Sequence, residues 1–283
     1  TLVPGATEVV AALGAGAALV GVSHEGDHPA WVTALPRLTS SPIDPSRSGG
    51  EIDAAVRTLL ESGQPVIGIE ADVLRRLRPD LLVTQSLCDV CAVSDGQAHH
   101  LAAVLDPPPD VLAMEGTTVD GVLADIRRIG ERLGLPDEAD ELVAGLRYRL
   151  RRLADEAPSV RPRVLCLEWL EPLYLAGHWV PELVEAAGGV DIGAAGGAKS
   201  ARRAWPDLHQ LGPDVVIVML CGFGVARARR ELDAFVQEEA LSGRHPLEFG
   251  CPVWLLDGNA YTSRAGPRLV DGAARIAAAL RGD

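Results

Sequence analysis

Residues 137–157 constrain this chain more than any other stretch. Ala139, Leu142, Val143, Leu146, Leu150, Leu153 and Ala157 recur at helical spacing, forming one apolar stripe on an otherwise charged rod. Asp137, Glu138, Asp140 and Glu141 stand at its start and Arg147, Arg149, Arg151 and Arg152 follow, the order a helix dipole favours. Pro158 stops it. At about 1.5 Å per residue the rod spans roughly 30 Å, the width of a small domain. Strand and helix patterns alternate on both sides of it. The pattern predicts an α/β fold of two Rossmann-like lobes with mainly parallel sheets, bridged by one long helix, with a ligand cleft between the lobes. The expected organisation is a first lobe over 1–117, a helix over 118–136 packed on it, the bridge over 137–157 and a second lobe over 158–283.

In the first lobe, Leu2-Val3 reads as a strand end, and a short helix is expected from Thr7, as N-cap, to Leu13. Residues 19–22 read as a buried strand and 39–50, rich in Ser, Pro and Gly, as a surface loop. Helices over 51–61, 71–77 and 99–105 and strands over 66–69, 81–84 and 111–114 complete the lobe, and Thr118 caps a helix to Leu133. In the second lobe, strands over 163–167, 173–176, 215–220 and 253–256 alternate with helices over 181–187, 206–211, 226–239 and 267–280. Residues 188–203 between them are glycine-rich. An internal echo links the halves: a short helix, a Pro-Asp turn and a buried strand occur at 72–83 and again at 207–217.

A net charge of −13 argues against nucleic acid or an anionic membrane surface as partner. No apolar run approaches the roughly 18 residues of a membrane span. Five cysteines are too few, and odd in number, for a disulfide scaffold. Thr1 opens inside the end of a first strand, as in a trimmed chain.

Ligands of parallel α/β sheets collect beyond the carboxyl ends of the strands. Here those loops are 4–7, 23–29, 85–91, 168–170, 178–179, 221–223 and 258–264. The chain holds only five Trp, three Tyr and three Phe, so where they fall is informative. Trp169, Trp179, Phe223 and Tyr261 all fall in these loops, whereas Trp254 lies within a strand pattern and is expected in the core. Flat side chains with few rotamers suit a large, flat, partly apolar ligand. His24, Glu25 and His178 are the polar candidates on the same loops. Cys88-Asp89-Val90-Cys91 is a CxxC that fits a disulfide strap, half a zinc site or a redox pair. A zinc site needs about four ligands, and no second CxxC or HxxxH follows, although His24 and His28 could join in space. Cys166, inside a strand, is expected to be inert core. No Gly-x-Ser-x-Gly elbow, Walker loop or GxGxxG after a strand occurs, so no catalytic residue or catalytic cofactor is assigned.

Leu2-Val3-Pro4-Gly5-Ala6-Thr7-Glu8 resembles the opening of the helical-backbone (class III) substrate-binding proteins that serve ABC importers of vitamin B12 and iron–siderophore complexes. Val22-Ser23-His24-Glu25, the segment 85–93 around the CxxC, Leu167-Glu168-Trp169-Leu170-Glu171-Pro172, Ala176-Gly177-His178-Trp179-Val180-Pro181, Cys221-Gly222-Phe223 and Asp257-Gly258-Asn259-Ala260-Tyr261 are similar to the cobalamin-binding branch of that family. The resemblance covers nearly the whole chain. It implies a cobalamin-like corrinoid held between rigid lobes, with Trp169, Trp179, Phe223 and Tyr261 against the ring and His24, Glu25 and Asn259 near its amides. It also implies docking on an ABC permease through one acidic residue at each lobe tip. Asp72 matches that place in lobe one; in lobe two the matching position is Pro206, with Asp207 beside it. Gly26 stands where near relatives would carry cysteine, so a three-cysteine site is not expected. A monomer is expected, periplasmic or at the cell surface if it serves an importer, with a cytosolic carrier as the alternative. Two other readings stay open: a metal or redox protein using Cys88 and Cys91, and a siderophore or heme carrier on the same scaffold. The third would want cleft arginines, for which Arg202, Arg203 and Arg264 are the candidates.

Overall fold

In a computed structural model of the protein, which describes residues 1–87, 93, 95–243 and 245–282, the chain enters helix α1 (Pro4–Ala12) almost at once. Pro4 opens the helix, where a missing N–H costs nothing, and Val3 is the N-cap. Thr7, expected to be the cap, instead lies inside the first turns and is fully buried. The first lobe continues through β1 (Thr39–Ser40), α2 (Gly49–Glu61), β2 (Gly68–Ile69), α3 (Ala71–Leu77), β3 (Leu81–Gln85), α4 (Asp95–Ala102) and β4 (Asp110–Met114). β3 and β4 are parallel, and the Leu2 N–H donates to the Val83 carbonyl, which lays the opening segment beside β3. The strand expected over 19–22 is reduced to one bridge between Val22 and Arg37. Val22 N–H donates to the Pro36 carbonyl and Leu38 N–H to the Val22 carbonyl, but Pro36 has no N–H with which to extend the ladder.

Helix α5 (Val119–Leu133) starts where expected, the Thr118 hydroxyl accepting from Gly121 N–H at 3.0 Å, and ends at Gly134 with φ 73°. Helix α6 (Pro136–Asp155) follows and is the long helix anticipated from the stripe. The second lobe comprises β5 (Arg163–Leu170), β6 (Leu173–Leu175), α7 (Val180–Ala186), β7 (Val190–Asp191), β8 (Ala201–Arg202), α8 (Trp205–Leu208), β9 (Val215–Val218), α9 (Val225–Leu241), β10 (Val253–Leu255), α10 (Gly258–Tyr261) and α11 (Leu269–Arg281). Its sheet runs β10-β9-β5-β6-β8, with β7 beside the start of β5. The first three are parallel, while β6 and β8 are antiparallel, so the glycine-rich stretch supplies two edge strands. Val164, Leu165, Cys166 and Leu167 are buried, as are Val216, Ile217 and Val218, the unbroken apolar runs of central parallel strands.

The echo between the halves extends to backbone conformation. Arg78 (φ 47°) and Gly212 (φ 57°) both take the left-handed region directly before a Pro-Asp turn, and Leu74 and Leu208 are both fully buried one turn earlier.

One apolar cluster crosses from one lobe to the other through Ala6 and Val9 of α1, Ile126 and Ile129 of α5, Val143 and Leu146 of α6, Leu183 of α7 and Ile276 of α11. Gly5 sits against the Ala265 carbonyl, in a space that a Cβ would fill. Among the described residues no helix is long and apolar enough to cross a membrane.

Candidate functional site

Strands β5, β9 and β10 end at a common edge of the second lobe, and the loops beyond them are tied together. Cys221 N–H donates to the Glu168 carbonyl (3.0 Å), Asn259 N–H to the Phe223 carbonyl (3.2 Å) and Gly222 N–H to Ser263 Oγ (3.2 Å). The first lobe faces this edge with the loop after Val22 and with the start of α2. The seam between them has a polar end and an aromatic end.

Arg264 organises the polar end. Its Nη1 donates to Glu8 Oε1 (3.0 Å) and Asp27 Oδ1 (2.5 Å), and its Nη2 to the Glu25 carbonyl (3.2 Å) and Asn259 Oδ1 (2.8 Å). Asn259 Nδ2 closes the ring by donating to Asp27 Oδ2 (3.2 Å), and Arg268 stands 3.5 Å from Glu8. The two carboxylates on this one arginine shift in opposite directions. The side chains of Arg264 and Glu8 are 4% and 2% exposed, and that of Asp27 is 52%. Burial pushes the Glu8 carboxyl up despite the hydrogen bond and charge of Arg264. Burial also acts on Asp27, but there the bonds from Arg264 and Asn259 and the arginine charge prevail, holding the carboxyl below its usual range. With Arg268 the cluster sets two cations against two carboxylates.

At the aromatic end Trp169, half-buried, meets Phe223 edge-to-face, with centroids 5.3 Å apart and planes at 69°. The Trp169 indole N–H donates to the Glu171 carbonyl (3.0 Å). The Arg227 guanidinium lies 3.5 Å over the Phe223 ring. Lobe one touches this end through Gly49, whose N–H donates to Glu231 Oε1 (2.6 Å), and through the Arg47 carbonyl, which accepts from Arg227 (3.2 Å).

The seam therefore gathers Glu25 and Asn259 at one end and Trp169 and Phe223 at the other. His24 stands nearby, its ring Nδ1 and backbone N–H both on Thr39 Oγ1 (2.7 and 2.9 Å). Of the other three expected contacts, Trp179 and His178 are engaged elsewhere, and Tyr261 borders the polar end at Arg268. Trp179 is 5% exposed and its one donor is used on the Thr262 carbonyl (2.8 Å), which makes the ring an internal strut. The Tyr261 ring lies under the guanidinium groups of Arg268 (5.1 Å) and Arg275 (5.7 Å), at helix α11. His178 takes a left-handed backbone (φ 53°) with its N–H on the Ala198 carbonyl (2.6 Å), so it belongs to the glycine-rich segment.

Asp72 and Asp207 are both exposed, and Asp72 pairs with Arg75 at 2.6 Å. Cys88 and Cys91 lie outside the described residues. Among those described, no group of three or more His, Cys, Asp or Glu is arranged to hold a metal ion. Cys166 is buried, and desolvation pushes its thiol well up, away from reactivity. Trp254 is half-buried, packed against the main apolar cluster. Sequence reasoning did not single out Glu8, Asp27, Arg227 or Glu231. Glu8 carried a signal: a carboxylate among small and apolar residues of α1 needs a partner.

Two histidines set a pH dependence. Burial and the Arg268 charge lower His28, and burial and the Lys199 charge lower His178. A histidine whose pKa falls on folding supports the fold above its unfolded value, near 6.5, and this support is lost as pH drops below it. Tm is expected to decline below pH 6.5, and His178→Asn, which tolerates the left-handed backbone, should flatten the decline. The carboxylates of Glu8, Asp125 and Asp191, raised by burial, act in the opposite sense and cancel in the difference between the two curves.

The profile of the family described as periplasmic binding protein matches residues 1–244. No curated protein matches the chain in sequence. Among solved structures, the periplasmic heme-binding protein RhuT from Roseiflexus sp. RS-1 is 19% identical, with 99% of this chain and 96% of that one covered and a TM-score of 0.69. A periplasmic heme-binding protein from Pseudomonas aeruginosa is 22% identical, covering 98% and 89%, with a TM-score of 0.70. The periplasmic vitamin B12 binding protein BtuF of Vibrio cholerae is 19% identical, covering 99% and 94%, with a TM-score of 0.68. At these identities the likeness is one of fold.

Proposed function

The chain belongs to the periplasmic binding protein family, and from that premise we propose that it is the substrate-binding component of an ABC importer for a cobalamin-like corrinoid. The observation that carries this reading is the Trp169 indole at the seam between the lobes, a half-buried flat face braced edge-on by the buried Phe223 ring, of the kind a macrocycle rests on. The polar end supports a neutral, amide-bearing ligand. The exposed Glu25 carboxylate and the second amide hydrogen of Asn259 would face such a ligand there, with His24 close by, while Arg264 is already neutralised by Glu8 and Asp27. Asp72 and Asp207, exposed on the two lobes, are the residues proposed to meet the permease.

Structural neighbours on this fold bind heme as well as vitamin B12, and one feature favours heme. Among the described residues Arg227 has no carboxylate within ion-pair distance, so its guanidinium beside the platform could receive a propionate. Parallel titrations with cyanocobalamin and hemin, followed by tryptophan quenching and calorimetry, separate the two. The corrinoid is expected to bind one to one at about micromolar concentration, roughly −8 kcal/mol. Saturation by hemin alone would move the assignment to heme. Folded protein that binds neither ligand at high micromolar concentration would remove both.

A further inference from the structure

The two ends of the seam differ in how firmly they are held. At the Arg264 end the paired groups of Arg264 and Glu8 are sealed from water. At the aromatic end the polar link is one backbone N–H to one carboxylate, Gly49 to Glu231, supplemented by Arg227 on the Arg47 carbonyl, while Ile52, further into α2, packs on the apolar cluster of the second lobe. Helix α2 does not depend on that carboxylate for its start. Ser48 and Glu51 form a complete capping box of their own, with Ser48 Oγ accepting from Glu51 N–H and Glu51 Oε2 accepting from Ser48 N–H (2.9 Å). Water could serve the Gly49 N–H equally well.

Gly49 and Gly50 let this backbone lie directly on the platform. A Cβ at Gly49 would stand 3.0 Å from Glu231 Oε1 and 3.3 Å from Trp169 Cε2, and one at Gly50 would stand 3.1 Å from Glu171 Oε2. Beside this contact Phe223 is only 3% exposed. Upstream, residues 44–48 are exposed, and Ser46 bonds back to Asp44 through its N–H (2.9 Å) and its hydroxyl (2.7 Å). With Ile52 anchoring the helix behind it, such a segment can move while the rest of α2 stays in place.

We propose that residues 47–50 form a lid over the Trp169–Phe223 platform, latched by Glu231, which lifts to admit ligand while the Arg264 end stays pinned. The proposal rests on the platform being the ligand's, but its test needs no ligand. Glu231 is half-buried on α9 and alanine is a good helix former, so Glu231→Ala should fold. In the ligand-free protein, amide exchange at Gly49 and Gly50 is expected to quicken roughly tenfold in this variant, with α5 and α11 unchanged. Acrylamide quenching assigned to Trp169, by difference against Trp169→Phe in each background, should rise in parallel. Unchanged exchange at Gly49, or an equal acceleration across every helix, would overturn the latch. So would faster exchange at Gly49 with no change in the quenching of Trp169.

Discussion

Replacing Arg264 with alanine is expected to destabilise the protein by about 3–5 kcal/mol, the largest single effect in the seam. The reason is the partner left behind. Glu8, its side chain 2% exposed, would keep a buried carboxylate with only Arg268, 3.5 Å away, to answer it. One Glu8 oxygen, Oε2, already lacks a partner in the intact cluster. Urea unfolding at neutral pH checks this, because a domain with roughly 5–15 kcal/mol of stability would lose a large share of it. Arg264→Met combined with Glu8→Gln removes both charges and should recover much of the loss. A fall below about 1 kcal/mol in Arg264→Ala would mean that the cluster is wetter than its burial suggests.

Trp169→Ala is expected to weaken ligand binding by at least about 2 kcal/mol, roughly 30-fold in Kd, because the indole is the half-buried part of the platform and the part that a lifted lid would uncover. Phe223 beneath it is buried and would contribute chiefly by supporting the tryptophan. Trp169→Phe retains a flat face and should keep most of the affinity. Calorimetry with the ligand that saturates the native protein reads the difference, and the melting curve of the free variant shows whether the fold has changed. An unaltered Kd in Trp169→Ala would move the ligand away from this end of the seam.

Much of the fold was legible because local chemistry announces it. The Thr118 cap, the Gly134 stop and the stripe on α6 are short-range features, and they appear in the structure at or within two residues of where they were read. The reading failed where one residue overrode a pattern. Pro4 starts α1 a turn ahead of Thr7, and Pro36 denies residues 19–22 their ladder. Edge strands of two residues, such as β7 and β8, leave no period to detect.

The site was legible as loops and less so as contacts. Residues 23–29 and 258–264 do meet, yet the Glu8–Arg264 pair joins positions 256 residues apart, a distance over which periodicity says nothing. The fate of Trp179 was equally hidden, because only the folded chain shows that the Thr262 carbonyl takes its donor. Trp169 and Trp179 look alike as strand-end aromatics; burial separates them.

The apolar cluster through α1, α5, α6, α7 and α11 makes the molecule indivisible as an engineering unit. A fragment cut after α5 would turn Ile126 and Ile129 toward water, and a chimera with half of a relative would need matched interiors on both sides of the graft. Recognition of new cargo is therefore better sought by exchanging loop residues such as Glu25 or Asn259 than by swapping halves.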